Sequence, residues 1–246
     1  MPLTAQASVR YRPVQNPPVQ NRLLARLPRR DYQRLARYLE PVTLTFGEVL
    51  YEPGGRIRHA YFPHRGVISL LTVVGANKAA EVGIVGNEGM VGASAAVGVD
   101  VSYLRAVVQG DGIAVRISPA QLRDALGTQA SWYRELSRFT YALMGQTAQT
   151  AACNRFHRVE ARLARWLLVT RDRMHSNDIH LTHMFLSVML GVRRVGVTAA
   201  ANSLQRRGLI SYTRGNIQLL DAAGLEATAC ECYGVVKEIY RRSERT

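Results

Sequence analysis

LTHMFLSVMLGVRRVGVTAAANSLQRRGLISYTRGNIQLL, residues Leu181 to Leu220, is the stretch whose reading decides the fold. Thr182 precedes a run in which Leu186, Met189 and Leu190 recur at helical spacing. A threonine hydroxyl at that place accepts a bond from an unpaired backbone N–H and starts a helix. Gly191 follows, where a helix end favours a residue with positive φ. A second helix is expected over about 193–207, ended by Gly208. Its inner face is Val197, Ala200, Ala201 and Leu204, and its outer face is Arg194, Val195, Thr198, Ala199 and Asn202. Leu209 to Tyr212 and Asn216 to Leu220 are β-rich runs around a Thr213–Arg214–Gly215 turn, the pattern of a hairpin. Helix, tight turn, helix and hairpin together spell a winged helix-turn-helix, a module that lays its second helix in the major groove of DNA. Taken alone, the segment also fits an ordinary helical hairpin in a core.

Charge favours the first reading. The chain has 246 residues and a net charge of +14. Residues 1–39 hold 8 Arg against 1 Asp, residues 40–127 hold 7 basic and 8 acidic side chains, and residues 128–246 hold 17 and 9. The basic excess avoids the middle and collects at both ends, as a polyanion partner requires. Of the 32 basic residues 30 are Arg, whose planar fork suits phosphate and guanine. A solvated basic surface is the plainer alternative.

Length and a hydrophobic content of 47% allow a sizeable core and two domains. No run of about 18 apolar residues suggests a membrane span, so no membrane partner is expected. The N-terminal residues are rich in Pro, Gln and Arg and lack the apolar stretch of a signal peptide, so residues 1–20 read as a disordered tail and the location as cytoplasmic. Three cysteines make no disulfide framework.

From about Val42 to Ile117 the chain breaks into short β-rich runs (HAYFP, VISLLTVV, AAEVGIV, YLRAVVQ, IAVRI) separated by Gly and Pro, which suggests an antiparallel sandwich or barrel. Leu23 to Leu39 reads as helical, with a second helix starting at Pro28 and Asp31, and Ser118–Pro119 opens another through Leu126. Trp132, Leu136, Phe139, Leu143, Gln146, Thr150 and Cys153 then alternate steps of four and three, and His157 extends the series. Such a heptad seam suits pairing with a second copy across a two-fold axis, and equally a helix packed on its own barrel. We read it as a dimer seam. Val159, Leu163, Trp166 and Leu167 start a further amphipathic helix.

This order resembles the Crp/Fnr superfamily of transcription regulators over roughly residues 20–246. Leu181 to Ile210 is similar, without gaps, to the pattern LTxxELAxLLGVSRETVSRxLxxLxxxGLI, and YFPHRGVISLL with EVGIVGNEGMVG looks like the sensory barrel of a branch that binds no nucleotide. The resemblance implies an α+β chain. Its parts are a β-roll of the cyclic-nucleotide-binding jelly-roll type with flanking helices (21–127), a dimerisation helix (128–155) and a winged helix-turn-helix (156–246). It also implies a homodimer on double-stranded DNA with a two-fold site, contacts to RNA polymerase, and no enzymatic activity.

Site residues follow from the same resemblance. The positions that read bases hold Arg194, Val195 and Ala199, with Thr198 and Asn202 as further polar candidates. Thr182, Arg193, Arg206 and Arg214 are candidate phosphate contacts. In the barrel, Gly92 matches the family's ribose-binding Gly-Glu pair but Ala93 follows it, and Ser102 matches the phosphate-binding Arg-Ser/Thr but Val101 precedes it. Glu88 and Arg105 offer a shifted register, so Glu88, Gly92, Ser102 and Arg105 form the candidate effector pocket. The effector is not expected to be a cyclic nucleotide, since a cyclic phosphate would lack its bidentate partner.

No cofactor and no metal are expected. No cysteine precedes Cys153, which excludes an N-terminal iron–sulfur cluster. Cys230 and Cys232 have no second Cys or His pair at matching spacing. His59 and His64 lack the spacing of a cupin-like metal site. Cys153 reads as a small buried residue on the seam, although a thiol there can cross-link or sense oxidation. Two rival functions stand beside DNA regulation: an enzyme or ligand-binding barrel, for which no nucleophile–base pair is visible, and a ligand-binding barrel whose winged helix contacts protein.

Overall fold

A computed structural model describes residues 20–75, 78–213 and 215–245. The expected tail thus lies outside the described residues except for Gln20, and so does Arg214. Asn21 caps the short helix α1 (Arg22–Ala25) by accepting from Leu24 N, and Pro28 precedes α2 (Arg29–Ala36). Strands β1 (Glu40–Leu44), β2 (Val49–Tyr51), β3 (Ala60–Val74) and β4 (Lys78–Val85) follow, then α3 (Ala93–Ala96) and β5 (Arg105–Ile117). Ser118 opens α4 (Pro119–Leu126) with a reciprocal capping box to Gln121. The long helix α5 (Ala130–Phe156) leads into α6 (Val159–Met174), β6 (Asp178–His180), α7 (His183–Met189), α8 (Arg194–Arg206), β7 (Ile210–Thr213), β8 (Asn216–Leu219), α9 (Ala222–Thr228) and α10 (Cys232–Arg245). The architecture is α+β: an antiparallel N-terminal sheet, a long helix, and a helix-turn-helix with a small sheet.

The N-terminal sheet runs β1-β5-β3-β4, with β2 also on β5, all antiparallel. The short β-rich runs of the sequence imply breaks at Gly66 and at Gly110–Asp111–Gly112. Instead β3 and β5 run through those glycines, with register shifts between Pro63 and Ile68. At Gly112 a Cβ would stand 2.1 Å from the Arg65 carbonyl oxygen, so only glycine lets the two backbones approach. The glycines here bend long strands rather than end short ones. Phe62, Ile68, Met90 and Ile117 fill the roll with Trp132.

The heptad seam of α5 is buried, but within one chain, and this corrects the dimer reading. Trp132 packs on Phe62 at 6.4 Å between ring centroids. Phe139 fits against Gly89, where a Cβ would come within 1.9 Å of its ring. Gln146 donates to the Ile84 carbonyl at 3.2 Å and accepts from Arg173 at 2.9 Å. Leu136, Thr150 and Cys153 are buried and Leu143 is half-buried on the same side. Periodicity marks a face that loses water, not the surface that covers it. The roll and α10 cover this one. Helix α10, unanticipated in the sequence, folds back on α5 and is tied to α1 by the ion pair of Arg26 with Glu244 at 2.6 Å. The opposite face of α5 is exposed, with Tyr141 at 68% and Met144 at 66%. Tyr141, Met144, Ala148 and Ala151 on that face again alternate steps of three and four.

The second core joins α6, α7, α8 and the small sheet around Trp166, Leu163, Val197, Leu204 and Leu219. It continues into the roll through Val67, Leu71, Ile84 and Val107. Phe46 of the roll meets Phe185 of α7 at 5.1 Å between rings. Among the described residues no single helix is long and apolar enough to cross a membrane.

Candidate nucleic-acid interface

The motif starts with Thr182, whose Oγ1 accepts from Phe185 N at 3.2 Å and caps α7. The helix stops at Gly191, which takes φ +60, a conformation that costs other residues more. Within the next few residues α8 departs at 107° to α7. Helix-turn-helix pairs cross at about 90–120°. Val197, Ala200, Ala201 and Leu204 are buried, as the sequence pattern predicts. With 3.6 residues per turn, the other side of α8 must then face water. Arg194, Val195, Ala199 and Asn202 do so, and Val195 is 69% exposed. Gln205 accepts from Tyr212 N at 2.8 Å, which fixes the wing to α8.

Arg193 and Arg206 are also exposed. No carboxylate among the described residues pairs with Arg193, Arg194 or Arg206, whereas Arg207 is engaged by Glu160 at 3.1 Å and by Thr228 at 2.9 Å. Three guanidinium forks beside one exposed helix face can donate to phosphate oxygens or to the O6 and N7 of guanine. Thr182 uses its oxygen as a cap and is exposed, which keeps its hydroxyl proton compatible with a phosphate.

Thr198 departs from the expected base-facing set. It is half-buried, and its Oγ1 lies 3.0 Å from His183 Nδ1 and 3.1 Å from the Arg194 carbonyl. Burial, with Arg194 nearby, holds the pKa of His183 down. Thr198 Oγ1 donates to the Arg194 carbonyl, and its contact with Nδ1 ties the His183 ring to α8. His183 also stacks on Tyr212 of the wing, 4.3 Å between centroids and 10° from parallel. His183 and Tyr212 thus hold α7, α8 and the wing together. Sequence reasoning missed them because the pair is made by the fold, far apart along the chain.

The wing has three strands, ordered β6-β8-β7, where two were expected. Thr213 of β7 pairs with Asn216 of β8, the last pair before the hairpin turn. Asp178–His180 is too short to carry a periodic signal.

The four effector-pocket candidates do not converge. Glu88 points away to α6, pairing with Arg173 at 2.7 Å and accepting from Gly86 N. Arg105 pairs with Glu52 at 2.8 Å on the surface. Ser102 Oγ donates to the Leu104 carbonyl at 2.7 Å. Gly92 takes φ +89, and a Cβ there would meet the Tyr51 hydroxyl at 2.9 Å, in a region filled by Tyr51 and Ile57. Both charged candidates are therefore neutralised by neighbours. His59 and His64 join no metal-binding group among the described residues.

A second cluster supplies the partner pair that the sequence lacks at matching spacing. Cys230 and Cys232 do have a partner pair: Cys153 and His157, one turn apart at the end of α5. All four ligand atoms lie within 4.8 Å of one another. The contact between the Cys153 and Cys230 sulfurs lowers the pKa of the Cys153 thiol and raises that of Cys230. The return of α10 to α5 creates this cluster, and no local pattern announces that return.

Comparison with known proteins agrees with the geometry. Residues 161–228 match the Crp-like helix-turn-helix domain. The chain has a Crp/Fnr fold and carries a Crp-like helix-turn-helix domain. A CRP family transcriptional regulator from Thermus thermophilus superposes with a TM-score of 0.65 at 20% identity, covering 76% of this chain and 96% of that one. FixK2 from Bradyrhizobium japonicum gives 0.66 at 15%, covering 78% and 98%. A second T. thermophilus regulator, of the CRP/FNR family, gives 0.53 at 25%, covering 77% and 98%. A search of curated proteins finds no match to the sequence. Helix α10 and the cysteine cluster's second half lie beyond the residues of the Crp-like match.

Proposed function

We propose that this protein is a homodimeric, sequence-specific transcription regulator of the Crp/Fnr type that acts on a two-fold DNA site in the cytoplasm, without enzymatic activity. The carrying observation is the exposed face of α8, where Arg194 stands unpaired on a helix set at 107° to its support. Arg194 reads a base, Val195 and Ala199 offer apolar contact to thymine methyl groups, and Asn202 supplies the remaining polar contact. Arg193, Arg206 and Arg214 hold phosphates and set the register.

Two copies pair through the outward face of α5, along Tyr141, Met144, Ala148 and Ala151 rather than along the buried seam. Alanines at such positions let two helices approach closely. The roll then senses a signal that is not a cyclic nucleotide, and RNA polymerase is the partner on DNA.

Arg194→Ala tests the base contact. Specific binding is expected to weaken by about 1–3 kcal/mol while binding to random DNA changes little. Titrations against a selected site and a scrambled duplex at one salt concentration measure both. An equal loss on the two duplexes would assign Arg194 to a phosphate instead.

A further inference from the structure

We propose that Cys153, His157, Cys230 and Cys232 bind one zinc ion, which pins the end of the long helix to the start of the last one. Neither the Crp-like match nor the DNA-binding face involves these four residues together. Cys153 lies in the last turn of α5, His157 is its C-cap, and Cys230 and Cys232 flank Glu231 where α10 begins.

The spacing fits a single tetrahedral ion. Zn–S bonds of about 2.3 Å place two sulfurs about 3.8 Å apart, and a sulfur and a nitrogen slightly closer. Here the Cys153 and Cys230 sulfurs are 3.5 Å apart, and Cys232 Sγ is 3.4 Å from His157 Nδ1. The whole set fits within 4.8 Å. An iron–sulfur cluster sets bridging sulfides between its irons and so spreads its cysteines more widely. Three thiolates and one imidazole are a soft set that suits zinc and excludes magnesium or calcium.

The surroundings are built for such an ion. His157 presents Nδ1 to the cluster and Nε2 to Glu231 Oε1 at 3.1 Å, the carboxylate–histidine arrangement that orients a ligating ring. Gln149 donates its amide to Cys232 Sγ at 3.0 Å. Zinc with three thiolates carries one net negative charge. Arg162 and Arg165 are buried nearby, and the Nε of each has no hydrogen-bond partner. Arg165 acts on Cys153, and Cys153 and Cys230 act on Arg162. Each thiol that binds gives its proton to solvent, so uptake of zinc releases protons.

The consequence is mechanical. His157 immediately precedes Arg158, the N-cap of α6, so the ion sits at the junction between the long helix and the helices that carry α8. A bond set there limits how that junction bends.

The test uses the full-length protein purified under reducing conditions. Elemental analysis is expected to find one zinc per chain. After removal with a chelator, Co²⁺ should restore one equivalent with the visible absorption of a tetrahedral thiolate site, and Zn²⁺ should displace it. Cys232→Ser should change that spectrum. Glu231→Gln leaves all four ligands in place on an exposed residue and should weaken zinc binding about 10–100-fold. Reduced protein with three free thiols that takes up neither ion at micromolar concentration would overturn the proposal. So would a Co²⁺ spectrum indifferent to Cys232→Ser, or metal-free protein with Cys153 and Cys230 joined in a disulfide.

Discussion

Met144→Glu is expected to convert the protein from dimer to monomer and to lower its affinity for a full two-fold site by about 10²–10⁴-fold. Two linked half-site contacts gain that factor because the second is intramolecular once the first is made. A carboxylate at each copy's position 144 would place two like charges in a dehydrated interface, where neither has a partner. Met144 is 66% exposed in the single chain, so its own fold loses little by the change. Light scattering after gel filtration reads the mass. Binding to a half-site duplex should stay unchanged, because α8 is untouched. Leu136→Glu gives the contrast. Leu136 is 4% exposed, on the face that meets the roll, so that variant should unfold the chain rather than split a dimer. A folded monomer from Leu136→Glu, with Met144→Glu still dimeric, would return the interface to the seam.

The second large effect concerns pH. Glu81 of β4 is buried where the roll meets α6, and burial pushes its pKa up to about 7 against the opposing help of Ser69 and Arg165. The hydrogen bonds argue for the proton independently. Ser69 Oγ lies 2.6 Å from Glu81 Oε2 and also bonds Gln109 Oε1, yet a hydroxyl has one proton. A protonated Glu81 donates to Ser69, which donates to Gln109, whose amide donates to Thr170 of α6 at 3.0 Å. Trp166 Nε1 donates to the other carboxyl oxygen at 3.0 Å. The chain of donors then closes from the roll to α6.

For an acid raised by folding, the native state holds the proton more tightly than the unfolded state. Its contribution to stability is complete below the ordinary value of 4.5 and is lost as pH rises through about 7. Glu81→Gln supplies a permanent donor and acceptor with no charge. The difference in unfolding free energy between variant and parent should therefore grow in the variant's favour from pH 5 to pH 8, by about 2–4 kcal/mol. Urea titrations of both proteins at several pH values measure it. A difference independent of pH would place the proton elsewhere.

The parts readable from sequence are those specified by neighbours in the chain. Thr182, Gly191 and Gly208 mark helix ends through local hydrogen bonding and backbone freedom, and they marked them correctly. The division of α8 into a buried and an exposed face follows from helical period alone, with Thr198 as the exception that His183 draws inward. The heptad of α5 marks a buried face, but a heptad does not say what covers it, and the roll and α10 do so rather than a second copy. The glycines at 66 and 112 look like turns in the sequence because a bulge and a turn ask for the same residue. The Cys–His cluster needed knowledge that α10 returns to α5. That return rests on long-range contacts such as Arg26 with Glu244, which leave no mark in either local segment.

In the proposed dimer two copies of α8 read a two-fold DNA site. Selection of binding sequences from a random duplex pool by the purified protein measures this. Enrichment of two inverted half-sites is expected, with centres one helical turn apart, about 34 Å or 10–10.5 base pairs. A pool that stays random, or a single half-site without its inverted partner, would contradict it.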